Sequence, residues 1–421
     1  MLRHLYNALW YPALPLALAL SGAWSDPAMR RERMGMAWTS STTASAAAPR
    51  LWAHAASVGE VGALRAVLSA LVRDQPATTL VVTTMTVAGR EAARRSIPGA
   101  QAHLLAPLDC RRALHSFLEA LRPTLVLIAE TELWPNYFIE SHRAGARIAI
   151  VNGRISERAL SRYRYVRSLF HETLSCADLV LAQTDEDARR FLALGADGNR
   201  VKVTGNTKFD LDSLDIAPVR PELRAFAPEC PLLVAGSTAP GEEQIVIEAW
   251  RQLRNRFETI ALVLAPRHLE RIAEVEGIMR AAGIEYSKAS APTPAGASRV
   301  LLLDTMGELR AMYARAAVAF VGGSLMPGRG GQSLAEPAAA GVPVLFGPCH
   351  ENQRAIALAL LDSRAGAVVR DAAELARAVG VFVGDESERR AAGNRARAVV
   401  ERMAGAVGAT LMHLRSLTSV A

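Results

Sequence analysis

AETELWPN carries two carboxylates two residues apart, Glu130 and Glu132, directly after the apolar run Thr124–Ala129. Paired acids at the end of a buried strand are costly unless hydrogen-bonded or used in chemistry. A third acid, Glu60, closes HAASVGE (His54–Glu60) after the run Leu51–Ala56. In the first turn of a helix it either complements the helix dipole or serves as a general base, and the residues alone leave both open. TGNTKFD (Thr204–Asp210) offers Lys208, an anion contact or a solvated lysine, and NGRIS (Asn152–Ser156) closes another apolar run. Farther along, the small residues and hydroxyls of AGSTAPGEE (Ala235–Glu243) form a turn able to cradle a phosphate. LAPRH places Arg267 where a phosphate would sit. In GGSLMPGRGGQSLAEPAAAG (Gly322–Gly341), Glu336 begins a helix and could accept bonds from ribose hydroxyls, or simply complement the helix dipole. GxxxxGK[ST] and an early GxGxxG are both absent, which argues against ATPase and dinucleotide chemistry.

Such groups need strands to carry them. Short apolar runs at Leu51–Ala56, Thr79–Thr84, Thr124–Ala129, Arg147–Val151, Asp178–Gln183 and Val201–Thr204 read as strands. Amphipathic stretches separate them, such as Glu60–Arg73 with Val61, Leu64, Leu68 and Leu71 on one face. Runs apolar on both faces joined by helices predict a parallel sheet covered on both sides. The pattern pauses over the Pro- and Asp-rich Asp210–Pro231 and restarts at Leu232–Gly236, Thr259–Ala265, Arg299–Asp304, Val318–Gly322 and Val342–Phe346. The expectation is an α/β protein of two Rossmann-like doubly wound domains facing a cleft, with a helical tail.

The 421 residues are 50% hydrophobic and 21% charged, with a net charge of +7, which excludes a disordered or collagen-like chain. Four scattered cysteines without a CxxC pair exclude a zinc or disulfide scaffold. The basic residues are dispersed with no interleaved aromatic patch, so nucleic acid is not expected as a partner. Between His4 and Asp26 no side chain is charged, and Arg30, Arg31 and Arg33 follow at once. That pattern predicts an N-terminal anchor, single-pass or interfacial, with the body on the cytoplasmic side.

Together, SVGE, TTMT (Thr83–Thr86), ETELWPN, TGNTKFD, GEE, PRH, DTMGEL (Asp304–Leu309), GGS and GVPVLFGP resemble the 3-deoxy-D-manno-octulosonic acid (Kdo) transferases, glycosyltransferase family 30, in order along almost the whole chain. The resemblance implies a GT-B fold and inverting transfer of Kdo from CMP-Kdo to a lipid A precursor, lipid IVA, at the cytoplasmic face of the inner membrane. It implies a membrane-associating segment over 1–25, an acceptor-binding domain over 26–212, a CMP-sugar domain over 213–385 and a helical tail over 386–421. Glu60 matches the general base, and Glu130 and Lys208 match transition-state stabilisers. Pro266, Arg267, Met306, Gly307, Glu308, Ser333, Leu334, Ala335 and Glu336 match CMP-binding positions. No metal and no cofactor are expected, since the resemblance implies a sugar–CMP bond that is already activated and requires no divalent ion.

Three departures fall in the donor half. The family's GGHNxLEP reads Gly330-Gly331-Gln332-Ser333-Leu334-Ala335-Glu336-Pro337, STHxGEE has Ala239 for His, and GPHxxNF has Cys349 for His. They keep open an alternative, a related glycosyltransferase or nucleotide-sugar epimerase with drifted donor specificity.

Overall fold

The computed structural model describes residues 2–38, 49–210, 219–292 and 298–418. The Ser/Thr/Ala stretch 39–48 and the expected boundary at 212/213 lie outside them. The chain divides into two units, Met1–Asp210 with Ala404–Ala421, and Leu211–Met403.

In the first unit, strands β1 (Arg50–His54), β2 (Thr79–Thr84), β3 (Ala102–Leu105), β4 (Leu125–Ala129), β5 (Arg147–Gly153), β6 (Leu179–Ala182) and β7 (Val201–Val203) form one sheet. Their order is β3-β2-β1-β4-β5-β6-β7, and all neighbours are parallel. The second unit repeats the design with β8 (Leu232–Thr238), β9 (Ala261–Pro266), β10 (Ser287–Lys288), β11 (Val300–Leu302), β12 (Val318–Val321), β13 (Val344–Phe346) and β14 (Gly366–Val368). There the order is β10-β11-β9-β8-β12-β13-β14, again all parallel.

Alternation along each strand supplies a core on both faces. Trp52 joins Phe117 and Tyr137 in one cluster, while Leu51 and Ala53 on the same strand join Leu64, Val67 and Leu68 in the other. In the second sheet Leu233 and Ala235 enter one cluster, and Leu232 and Val234 its opposite.

Residues 386–421, read as one tail, are two helices assigned to different units. Glu386–Met403 closes the second unit, whereas Ala406–Thr418 returns to the first and buries Leu414 beside Leu51 and Leu68. The Asp210 carboxylate receives the Gly405 and Val407 N–H groups at the start of that helix.

The N-terminal segment leaves the single-pass form of the expected anchor without support. No described helix is long and apolar enough to cross a membrane. Leu2–Leu20 is a helix interrupted in composition by Pro12 and Pro15, and one side of it is fastened to the first unit. Leu18 packs with Leu108, Cys110 and Ala113, the Tyr6 hydroxyl donates to Asp109 at 2.5 Å, and Arg3 pairs with Glu172 at 2.5 Å. Its other side leaves Leu5, Leu9, Leu16 and Leu20 exposed.

Candidate active site

Open parallel sheets offer their ligand sites beyond the strand carboxyl ends, where the strand order reverses. In the first sheet that reversal lies between β1 and β4. Glu60 follows β1 on the helix Val58–Asp74, and Glu130 and Glu132 follow β4. Motifs 70 residues apart in sequence therefore arrive side by side, because adjacent strands deliver them.

Glu60 folds back over the start of its own helix. Its Oε2 accepts the Ala56 N–H at 2.7 Å and its Oε1 the Ser57 hydroxyl at 3.2 Å, so Ser57 donates to the acid instead of capping the helix. Burial pushes this carboxyl up, the charges of Glu132 and Glu130 add to the effect, and the hydrogen bonds from Ala56 and Ser57 oppose it, leaving a pKa of about 7. A carboxyl poised there can take a proton from a hydroxyl near neutrality.

Glu130 sits in left-handed backbone with φ 48°, a conformation that costs a non-glycine residue roughly 1–3 kcal/mol and clusters at functional sites. Its Oε1 accepts from Lys208 Nζ at 2.6 Å and from Asn152 Nδ2 at 3.2 Å. Asn152, fully buried at the end of β5, takes the Thr207 N–H on its Oδ1 at 3.0 Å. The Thr207 hydroxyl in turn donates to the Ala63 carbonyl on the Glu60 helix at 2.7 Å. TGNTKFD is thereby clamped against both carboxylate-bearing segments, and a methyl built on Gly59 would stand 3.9 Å from the Lys208 ammonium. Glu60, Glu130 and Lys208 are brought together.

Glu132 faces inward. Its Oε2 accepts the Trp134 indole N–H at 2.7 Å, and His54 Nε2 lies 3.7 Å from the same oxygen. Burial pushes this carboxyl up, but His54 and Trp134 outweigh it and hold the group below the usual carboxylate range. His54 carried no assigned role in the sequence. Its place as the last residue of β1, within HAASVGE, was the available signal.

In the second sheet the order reverses between β8 and β12. The turn expected to cradle a phosphate is already filled there by a side chain of the protein. The fully buried Glu242 takes the Ala239 and Gly323 N–H groups on Oε2 at 2.8 and 2.7 Å, and those of Ser324 and Leu325 on Oε1 at 2.9 and 2.8 Å. Glu243, equally buried, accepts the Thr238 hydroxyl at 2.9 Å and Arg271 at 2.7 and 3.2 Å. Both acids of GEE hold loops.

The expected nucleotide residues distribute around this frame. Pro266 ends β9 opposite Thr238, and the Arg267 N–H donates to the Thr238 carbonyl at 3.0 Å while its side chain is exposed. Glu336 opens the helix Ala335–Ala339, and burial pushes its carboxyl up against the opposing charges of Arg310 and Arg267. Those three charges share one locality, and Arg310 was not singled out from the sequence. Met306 and Gly307 form an open turn, with Met306 62% exposed and Gly307 at φ 86°. Glu308 is committed elsewhere, paired with Arg220 and taking the Thr305 hydroxyl. Ser333 is half-buried, whereas Leu334 and Ala335 are buried, so only their backbone could meet a ligand. The glycine loop is pinned by the Asn352 N–H on the Gly330 carbonyl at 2.9 Å. At Gly330 a Cβ would fall 2.3 Å from Asn352 Nδ2 in a backbone with φ 76°, so glycine is required twice over.

A separate pocket of about 500 Å³ opens at the amino end of the first sheet, lined by Pro49, Thr78, Arg122, Thr124, Arg147 and Leu417. It lies at the opposite strand ends from the three carboxylates.

Residues 29–211 match the family model described as 3-Deoxy-D-manno-octulosonic-acid transferase (kdotransferase). A 3-deoxy-D-manno-octulosonic acid transferase of Haemophilus influenzae is 30% identical over 97% of this chain and 96% of its own length. One from Bordetella pertussis is 35% identical over 87% of this chain and 86% of its own. In fold, the chain is similar to the UDP-GlcNAc 2-epimerase of Neisseria meningitidis, with TM-score 0.61 at 13% identity over 88% of this chain and all of that one.

Proposed function

The chain belongs to the Kdo transferase family and is a glycosyltransferase, and from that premise we propose that it moves Kdo from CMP-Kdo to the lipid A precursor lipid IVA with inversion. The observation that carries the proposal is the Glu60 carboxyl, at about 7, beside the Glu130–Lys208 pair where the first sheet reverses order. Glu60 takes the proton of an acceptor hydroxyl as its oxygen bonds to the donor's anomeric carbon. The bond from that carbon to the phosphate breaks, CMP leaves with the electron pair, and the proton stays on Glu60. One displacement inverts the centre and needs one base, unlike the two-carboxylate route of retaining enzymes. Lys208 answers the growing negative charge and Glu130 the oxocarbenium-like positive charge.

Unit 2 takes the nucleotide in this reading, with Arg267 and Arg310 beside Glu336 as phosphate and ribose contacts. The replaced donor-half histidines favour a second reading, a drifted or modified octulosonic donor. Isothermal titration with CMP and CMP-Kdo separates the two: ordinary CMP affinity removes the reason for invoking drift. The exposed face of Leu5, Leu9, Leu16 and Leu20, followed by Trp24 and the exposed Arg31, supports an interfacial helix at the cytoplasmic face of the inner membrane.

The test is mass-resolved transfer from CMP-Kdo to tetra-acylated lipid A precursor. Glu60→Gln is expected to lose about 10²–10⁴-fold in rate with its circular dichroism unchanged, and wild-type rate should climb as pH rises through about 7. Full activity in Glu60→Gln would remove the assignment. Products formed without lipid acceptor would point to an epimerase.

A further inference from the structure

His54 is fully buried, and its Nε2 has no hydrogen-bond partner. A buried polar atom left in that state calls for an explanation. The other side of the ring bears on which nitrogen carries the proton. Trp52 Nε1 donates to Thr83 Oγ1 at 2.8 Å, and His54 Nδ1 lies 3.0 Å from the same hydroxyl. An indole can only donate, so the Thr83 oxygen accepts from Trp52, and its hydrogen and second lone pair remain for His54 Nδ1. Placing the ring hydrogen on Nε2, with Nδ1 accepting from Thr83, puts a donor 3.7 Å from Glu132 Oε2. The ring cannot swing aside, because its edge packs on Tyr137 with centroids 5.0 Å apart, and Tyr137 is itself packed on Trp52 at 5.1 Å.

We propose that His54, anchored by the Trp52–Thr83 pair, is a positioning residue that fixes the Glu132 carboxylate as a charged neighbour of Glu60. The role deepens the transferase reading and rests on it only where transfer is the readout. Glu132 is faced by His54 from β1, by Tyr137 from the helix Pro135–Arg143 and by Tyr163 from the helix Glu157–Tyr163. Glu60 is faced by Glu132 and Glu130 from the segment after β4, with the Lys208 ammonium next to Gly59. On the Glu132 side of this set, His54 and the Trp134 indole N–H are the groups that favour the carboxylate. Without His54 the Trp134 bond alone opposes burial, and the Glu132 carboxyl moves up towards its neutral form. Glu60 then loses a negative neighbour, holds its proton less tightly and becomes a weaker base.

Carboxyl-¹³C glutamate NMR of the full chain reads the Glu60 titration without requiring turnover, its resonance identified by its loss in Glu60→Gln. The pH profile of transfer is recorded alongside. In His54→Asn the amide reaches Thr83 but falls short of Glu132. The Glu60 midpoint should drop by about one pH unit, and the acid limb of transfer with it. In His54→Gln the amide nitrogen replaces Nε2, and both should return towards wild type. Loss of the ring from Tyr137 lowers melting temperature in both variants alike, so stability does not mimic the result. Thr83→Val keeps the ring, removes its anchor and should shift the midpoint in the same direction. An unmoved midpoint in His54→Asn and Thr83→Val, or an equal shift in His54→Gln, would reduce His54 to core filling. Midpoints that move as stated in a wild-type chain unable to transfer Kdo would uphold this role and overturn the transferase reading.

Discussion

Replacing Glu242 by glutamine changes one atom and tests whether the second unit is organised around that carboxylate. In the native chain four backbone N–H groups converge on it, two per oxygen, from the turn after β8 and the loop after β12. Glutamine keeps one acceptor oxygen and turns an NH₂ towards the other pair of donors, whichever way the amide is placed. Two bonds to a charged acceptor are lost, each worth about 1.5–3 kcal/mol, or about 3–6 kcal/mol together. The site is fully buried, so solvent screening does not reduce that figure. For a unit of this size, about 2–4 °C per kcal/mol gives a fall in Tm on the order of 10 °C. Because Gly323–Leu325 leads into the glycine loop, CMP affinity should fall as well. Scanning calorimetry and titration with CMP measure the two effects, with the exposed Glu248→Gln on the same helix as the control. A Tm drop below about 2 °C with unchanged CMP binding would show that the four bonds are dispensable.

Lys208 is 38% exposed, so its pair with Glu130 adds little to stability, below about 1 kcal/mol. Lys208→Met should nevertheless cost transfer about 10²–10³-fold, and equal small losses in rate and Tm would refute a transition-state role. Leu9→Glu with Leu16→Glu should leave the melting temperature within about 1 °C, since both side chains are exposed. Flotation with anionic vesicles should drop about tenfold or more, and retained flotation would assign membrane contact to another surface.

Apolar runs flanked by turn residues marked the central strands, and Thr79–Thr84 begins and ends where β2 does. β3, β10 and β14 escaped notice, as all three lie at sheet edges and are four residues or shorter, and AHLL, SK and GAV carry no sustained apolar signal. Glu60, Glu130 and Lys208 were visible as polar groups at strand ends, because the carboxyl ends of a parallel sheet converge whatever the sequence distance. The partners that set their chemistry were not visible. His54 meets Glu132 only through the pairing of β1 with β4, and Thr83 meets His54 through β2. Glu242 was legible only as part of GEE behind a turn read as a phosphate cradle, since nothing local reveals that a loop 81–83 residues later closes on it. For the N-terminal segment, absence of charge left a spanning and an interfacial helix both open. Nothing in it showed that Tyr6 and Arg3 would find partners within the protein on one face.

The helix Ala406–Thr418 has a consequence for synthesis on the ribosome. The first unit places Glu60, Glu130 and Glu132 early, yet part of its apolar core, Leu414 with Val407, Leu411 and Leu417, comes from the other side of the second unit in sequence. At about 5–20 residues per second, the intervening chain takes roughly 10–40 seconds to translate. During that interval the face of the first sheet carrying Leu51, Leu64 and Leu68 waits without its covering helix, and Asp210 waits without the backbone donors it will receive. The nascent first unit is thus a client for whatever shields apolar surface in the cell, until the second unit has been made.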